Sequence, residues 1–373
     1  MDTGEFNVAV VGGSLGGLFS AIALDRAGFS TSVYEKSSAS MGSRGGGIVV
    51  QHDLETFFRR YSPDDPYLPQ TSCSTRRFFL PDGNIMADRG PAQSFTSWDA
   101  LFRKLKACFP NELYHAGREV VHFGAAAESG TLHFKDESQV EVDLVVCSDG
   151  SDSKAREQLQ PEAYRAYAGY VAWRGFVDEG ALPGEVLEAL DDRFSFLRLP
   201  DGHLLCYPIP GQNGETKVGQ RRFNWVWYVD VPDGEALQEM LTDKEGNLRR
   251  AAIPPGRTAP PVIEGLRVKA DENLPDLLKT LVLSSPDPFL QAIFDATVPS
   301  GVVGRACLLG DAGFVVRPHT AAATAKAAAE AMELADLLAA NHPESTAALA
   351  EFDSFQQRLG AQLYRHGVSL GQH

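Results

Sequence analysis

Between residues 7 and 36 the chain runs Asn-Val-Ala-Val-Val, then Gly12-Gly13-Ser14-Leu15-Gly16-Gly17, then a helical pattern through Leu18, Ile22 and Leu24 that stops at Gly28. A second β-rich run closes on Tyr34-Glu35-Lys36. An apolar strand that turns on glycine into a period of 3.6, and back into a strand, is a βαβ unit. It commits the chain to a parallel sheet with helices on its faces. Gly12 opens the tight turn, Gly17 lets helix and strand approach closely, and the free amides at the helix N-terminus can cradle a pyrophosphate. In the usual G-x-G-x-x-G pattern the middle glycine falls on Ser14. Gly13 keeps the backbone permissive beside it, and the Ser14 hydroxyl is itself a donor to phosphate. Glu35 lies 35 − 17 = 18 residues beyond the last glycine, where a carboxylate accepts from ribose hydroxyls; its alternative is a solvated strand end. Dinucleotide binding is the expectation.

Further along, residues 40–47 form a glycine-rich loop, and Thr131–Phe134 with Val140–Cys147 read as a hairpin about Asp136-Glu137-Ser138. From Tyr167 to Val231 alternating aromatics broken by Pro and Gly predict an antiparallel sheet. Residues 243–264 predict an irregular connection, helices resume near Leu274, a last strand (306–309) enters Gly310-Asp311, and the Ala-rich stretch 320–340 predicts a helix. The fold class is α/β: a Rossmann-like nucleotide domain (1–70, 99–160, 275–340) interleaved with a mainly antiparallel β-sheet substrate domain (71–98, 161–274), followed by a C-terminal helical segment (341–373).

A formal charge of −15 on 373 residues disfavours nucleic acid and anionic membranes as partners. Five scattered cysteines without a CxxC pair suggest no metal site and a reducing, cytoplasmic setting. No secretory signal or apolar run of spanning length is visible, so no membrane partner is expected.

Two later strand ends, Ser148-Asp149-Gly150 and Gly310-Asp311-Ala312, single out the dinucleotide. Gly12–Gly17 with Glu35, Asp149-Gly150 with Ser153 and Arg156, and Gly310-Asp311 with Pro318 occur in the order found in the class A flavoprotein aromatic hydroxylases, which have the para-hydroxybenzoate hydroxylase fold. The chain resembles that family over nearly its whole length. Segments such as 47–51, 167–175, 203–211 and 317–319 are most similar to its dihydroxypyridine-hydroxylating branch. The resemblance implies FAD, held by Gly12, Gly13, Ser14, Leu15, Gly17, Glu35, Lys36, Gln51, Val121, Asp149, Gly150, Asp311, Pro318 and Ala321-Ala322-Ala323. It also implies NADH or NADPH as donor, O₂ as co-substrate, a small aromatic or heteroaromatic ring hydroxylated through a C4a-hydroperoxyflavin, and a homodimer as the assembly to test. Where the family has Gly-Gln-Gly, this chain has Ala321-Ala322-Ala323. Its usual Asp further on is Glu330, and its helix-opening Arg is Trp98. The helix after Asp311 is expected to begin near Ala321, with its amides toward the flavin pyrimidine.

Such chemistry needs a proton acceptor near the ring hydroxyl, for which histidine suits. His203 opens His-Leu-Leu-Cys-Tyr, whose period of two puts His203, Leu205 and Tyr207 on one face; the alternative is a surface histidine after the Pro200-Asp201-Gly202 turn. His319 is the second candidate base, or else a cap residue. Tyr207 and Gln51 are candidate substrate contacts. Trp225 and Trp227 either stack on the ring or pack in the core. Three other readings compete: a flavin-dependent reductase or dehydrogenase without oxygen transfer, a halogenase, suggested by Trp225-Val226-Trp227, and a non-enzymatic module that binds a dinucleotide for structure or sensing.

Overall fold

The computed structural model describes residues 6–38, 46–342 and 344–370; the predicted loop at 40–47 lies mostly outside them. The opening βαβ unit forms as the sequence dictates: strand Asn7–Val11, helix Leu15–Arg26, strand Ser30–Glu35. Val8, Ala9 and Val10 are buried because the strand has a layer on both faces. Its neighbours are Ser30–Glu35 on one side and Leu144–Cys147 on the other, both parallel, and Ala306–Leu308 pairs in parallel beyond the latter. Helices Leu15–Arg26 and Ala323–Asn341 cover one face, where Leu18, Phe19, Ile22, Ala331 and Leu334 share a core.

The single predicted hairpin divides in two. Gln139–Val142 pairs with Gly130–Phe134, whereas Leu144–Cys147 enters the parallel sheet. The crossing point is Asp143, whose carboxylate accepts from the Asn7 amide at 2.7 Å. Gln139–Val142 alternates polar and apolar residues and Leu144–Cys147 is wholly apolar, but both are rich in valine, so the run reads as one strand.

The second sheet contains Tyr164–Asp178, Arg193–Leu199, Gly202–Ile209 and Arg222–Asp230, antiparallel to their neighbours in that set. Phe289–Thr297 is hydrogen-bonded along Tyr164–Asp178. That corrects the expected boundary at 274: this strand, and helix Asp276–Leu283 whose Leu278 and Leu281 join the same core, belong with the antiparallel sheet. The irregular connection also ends earlier than predicted. Pro260-Pro261 begin helix Pro260–Asn273, where missing amides cost nothing in the first turn.

Candidate active site

At the glycine turn the backbone leaves no room for side chains. Gly12 has φ +97°, a Cβ at Gly13 would stand 2.3 Å from the Tyr114 hydroxyl, and one at Gly17 would stand 1.8 Å from the Gly12 carbonyl oxygen. Glu35 is buried and fastens this turn: its carboxylate accepts from the Gly13 and Ser37 amides, each at 2.8 Å. Each oxygen retains a lone pair for a ribose hydroxyl. Ser14 is the N-cap of the helix but makes no side-chain cap bond. Leu15 starts the helix and is buried, whereas Lys36 is exposed. Val121 is exposed on a strand remote from the turn in sequence, and its carbonyl accepts from Gln158.

The Asp149 and Asp311 segments meet through Arg156. Asp149 accepts from the Ser153 hydroxyl and, at 3.1 Å, from the Ala155 amide, which caps the short helix carrying Arg156. The buried guanidinium then donates to the carbonyls of Asp311 (2.9 Å), Ala312 (3.1 Å) and Ser151 (2.6 Å). Gly150, with φ +87°, turns the chain between them.

Behind Asp311 lies a buried ion pair that no sequence pattern announced. Lys326 donates to the Gly310 carbonyl (2.7 Å) and to Glu330 (3.0 Å), while Glu330 accepts from the Gly310 amide (2.7 Å). Both polar groups of Gly310 are thereby clamped. Burial pushes the carboxyls of Glu330 and Asp311 above the ordinary range, against the lowering pull of Lys326.

The helix expected from Ala321 begins at Ala323. Ala321 itself is left-handed, with φ +52°, as the end of a turn through Pro318-His319-Thr320. Gln51 donates to its carbonyl at 3.1 Å and holds that turn. The first helical amides open into a cavity of about 1140 Å³ lined by Gln51, Pro318 and Ala321-Ala322-Ala323. Glycine cradle, paired Asp segments and a helix N-terminus at the cavity together fit FAD.

The cavity wall is one face of the antiparallel sheet, read across strands in two rows. One row is His203, Tyr228, Ala172 and Gln291; the next is Leu205, Val226, Arg174 and Phe289. His203, Leu205 and Tyr207 line it as the period of two requires. Tyr207 is buried and stacks on Phe95 at 4.1 Å. His319 reaches the same place from the loop: its ring is 5.1 Å from His203 and 4.3 Å from Tyr228, and its Nε2 is 2.9 Å from the Tyr170 hydroxyl. Trp225 and Trp227 are a correction. They occupy the opposite face, fully buried with Leu204 and Cys206, and Trp225 donates to Ser285 at 2.6 Å. The same alternation that buries them turns Val226 and Tyr228 into the cavity. Trp98, at the start of its helix, lines the cavity and stacks on Phe102. Tyr170, Tyr228 and Arg174 were missed. Strand pairing is the signal that finds them, because Tyr228 lies directly opposite His203.

A fold that joins a nucleotide cradle to a ring-sized cavity through one loop and one helix N-terminus defines a flavoprotein oxidoreductase. A family model described as "FAD binding domain-like" matches residues 167–295. The chain is 34% identical to 2,6-dihydroxypyridine 3-monooxygenase of Paenarthrobacter nicotinovorans, over 90% of this chain and 83% of that one. It is 26% identical to 6-hydroxynicotinate 3-monooxygenase of Bordetella bronchiseptica, over 89% and 82%. The solved 2,6-dihydroxypyridine-3-hydroxylase from Arthrobacter nicotinovorans superposes with a TM-score of 0.89 at 31% identity, covering 97% of this chain and 90% of that chain. The chain belongs to the FAD-dependent aromatic and heteroaromatic ring monooxygenases. No helix among the described residues is long and apolar enough to cross a membrane, and no group of three metal-ligating side chains occurs among them.

Proposed function

We propose that the protein hydroxylates a hydroxylated N-heteroaromatic ring of dihydroxypyridine type, with NADH or NADPH and O₂. The observation that carries this reading is the convergence of His203, His319 and Tyr228 beside the helix that opens at Ala323. Bound FAD supplies electron transfer and oxygen activation. The chain's own residues do the rest. Leu205, Val226 and Phe196 line the same cavity with apolar surface, which excludes water. His203 is the base for the ring hydroxyl, which makes the ring more nucleophilic. The Tyr170 hydroxyl beside His319 offers a proton path onward. Burial pushes the Tyr170 and Tyr228 phenols up, so both relay as neutral hydroxyls.

The test is NADH and NADPH oxidation by the FAD-loaded protein with and without 2,6-dihydroxypyridine, followed by product analysis. Hydroxylated product with stimulated O₂ uptake is expected; flavin reduction with no oxygenated product would move the protein to the reductases. His203→Ala is expected to keep FAD and lose at least about tenfold in substrate-stimulated turnover. Unchanged, fully coupled turnover would remove His203 from the mechanism.

A further inference from the structure

The chain carries 49 acidic and 34 basic residues, yet the cavity reverses that balance. Four arginines (Arg76, Arg89, Arg174, Arg198) and three histidines (His203, His319, His366) line it, and no aspartate or glutamate does among the described residues. Three of the arginines have evident local roles or solvent. Arg76 also has a buried Nε without a partner, but its Nη2 donates to Gln93 at 3.2 Å and it lies over the Phe194 ring; Arg89 lies over Phe78; Arg198 is exposed. Arg174 differs. It projects from the middle of strand Tyr164–Asp178, opposite Val226 and Phe289. Its Nε is buried without a hydrogen-bond partner. The nearby Tyr207 and Tyr228 phenols are held neutral by burial, even though the Arg174 charge pulls the other way. Among the described residues, no carboxylate lines the cavity to answer this guanidinium. The backbone comes close above it, for a Cβ at Gly46 would stand 3.1 Å from Arg174 Nη1.

A half-buried guanidinium whose Nε is buried without a partner leaves a donor and a charge that a bound anion would answer. A planar fork of donors selects a planar anion. We infer that Arg174 is an anchor for a negatively charged ring substrate, an aromatic or N-heteroaromatic compound bearing an ionised hydroxyl or carboxylate. The identification of that ligand as substrate rests on the hydroxylase reading. Charge selection by the cavity stands without it. The second anionic source is the phosphates of the nicotinamide nucleotide, for which the exposed Arg89 and Arg198 are better placed than a wall residue.

The experiment titrates the FAD-loaded protein with 6-hydroxynicotinate and with 6-hydroxynicotinamide, which share a ring and differ in charge, following the flavin absorption. Carboxylate binding at least about tenfold tighter than amide binding is expected, the range of a hydrogen bond to a charged group. R174M should erase the preference, R174K should keep part of it, and the KM for NADH should stay within about twofold. Equal affinity of the wild-type protein for the two probes, with 6-hydroxynicotinamide bound no more tightly above the pKa of its ring hydroxyl than below it, overturns the inference, with no variant needing to fold. So does an R174M loss that is equal for both probes, or one that falls on NADH instead. Charge-selective binding without hydroxylated product keeps the anion site and removes the hydroxylase reading; hydroxylation without charge preference does the reverse.

Discussion

The glycine turn at residues 12–17 and the sheet face that holds His203 are built on opposite plans. At the turn Gly12 and Gly17 press backbone against backbone and Gly13 lies under the Tyr114 ring, so added side chains are excluded by distances of 1.8 to 2.4 Å. On the sheet face every contact that matters belongs to a side chain, and the backbone only sets the spacing. A backbone cradle fails when anything is added to it, whereas a side-chain wall fails when something is taken away. The two halves of one active site therefore tolerate opposite kinds of substitution.

The largest effect should come from breaking the first plan. Gly17→Ala puts a methyl 1.8 Å from the Gly12 carbonyl oxygen, a clash with backbone that no side-chain rotation relieves, so the helix must back away from the strand at a cost above ordinary overpacking, about 5 kcal/mol or more. Purified G17A should hold little FAD and melt earlier; full flavin content would show that the turn is looser than its geometry. Next is the clamp behind Asp311. Lys326→Met leaves Glu330 buried without its counter-charge, at about 3–5 kcal/mol in chemical denaturation, and a K326M/E330M pair should recover much of that loss. Equal loss in single and double variants would mean that the pair is not coupled.

A smaller and opposite-signed effect is expected at Asp311. Its carboxyl has a raised pKa in the folded chain, so its stabilising contribution is complete below about pH 4 and is lost as pH rises through the folded value. Asp311→Asn should therefore raise the melting temperature of the FAD-free protein more at neutral pH than at about pH 4, while weakening FAD binding about tenfold or more. A variant that loses stability without FAD would break that argument. The smallest effect belongs to Ala321, left-handed at φ +52°. Ala321→Gly removes roughly 1 kcal/mol of backbone strain but returns freedom to the unfolded chain, so calorimetry should find a net change under about 1 kcal/mol.

The same contrast explains what could be read in advance. Gly12, Gly17 and Glu35 are legible because backbone geometry accepts few residue types there, and the types are themselves the message. His203, Leu205 and Tyr207 are legible as a set because a strand alternates. Which face of the next strand meets the cavity is not, since Trp225-Val226-Trp227-Tyr228 is apolar on both sides and buried on both. Only pairing with His203 decides it. The pairing of Lys326 with Glu330 was opaque for a different reason: at a spacing of four in an Ala-rich helix they look like an ordinary exposed pair, whereas both are buried and bonded to Gly310. Phe289–Thr297 escaped because membership of a sheet is set by partners distant in sequence.

One connection ties the two plans together. Phe289–Thr297 ends at the loop that carries His319, and there the Val315 amide donates to the Ala296 carbonyl at 2.9 Å while Arg317 grips Asp295 at 2.8 Å. The loop is thus stitched to the rim of the sheet at two successive residues of that strand. His319 cannot swing by itself, because any excursion must flex the strand edge with it. In hydrogen–deuterium exchange the Val315 amide should open at the slow pace of the strand, and far more slowly than a surface loop of the same length.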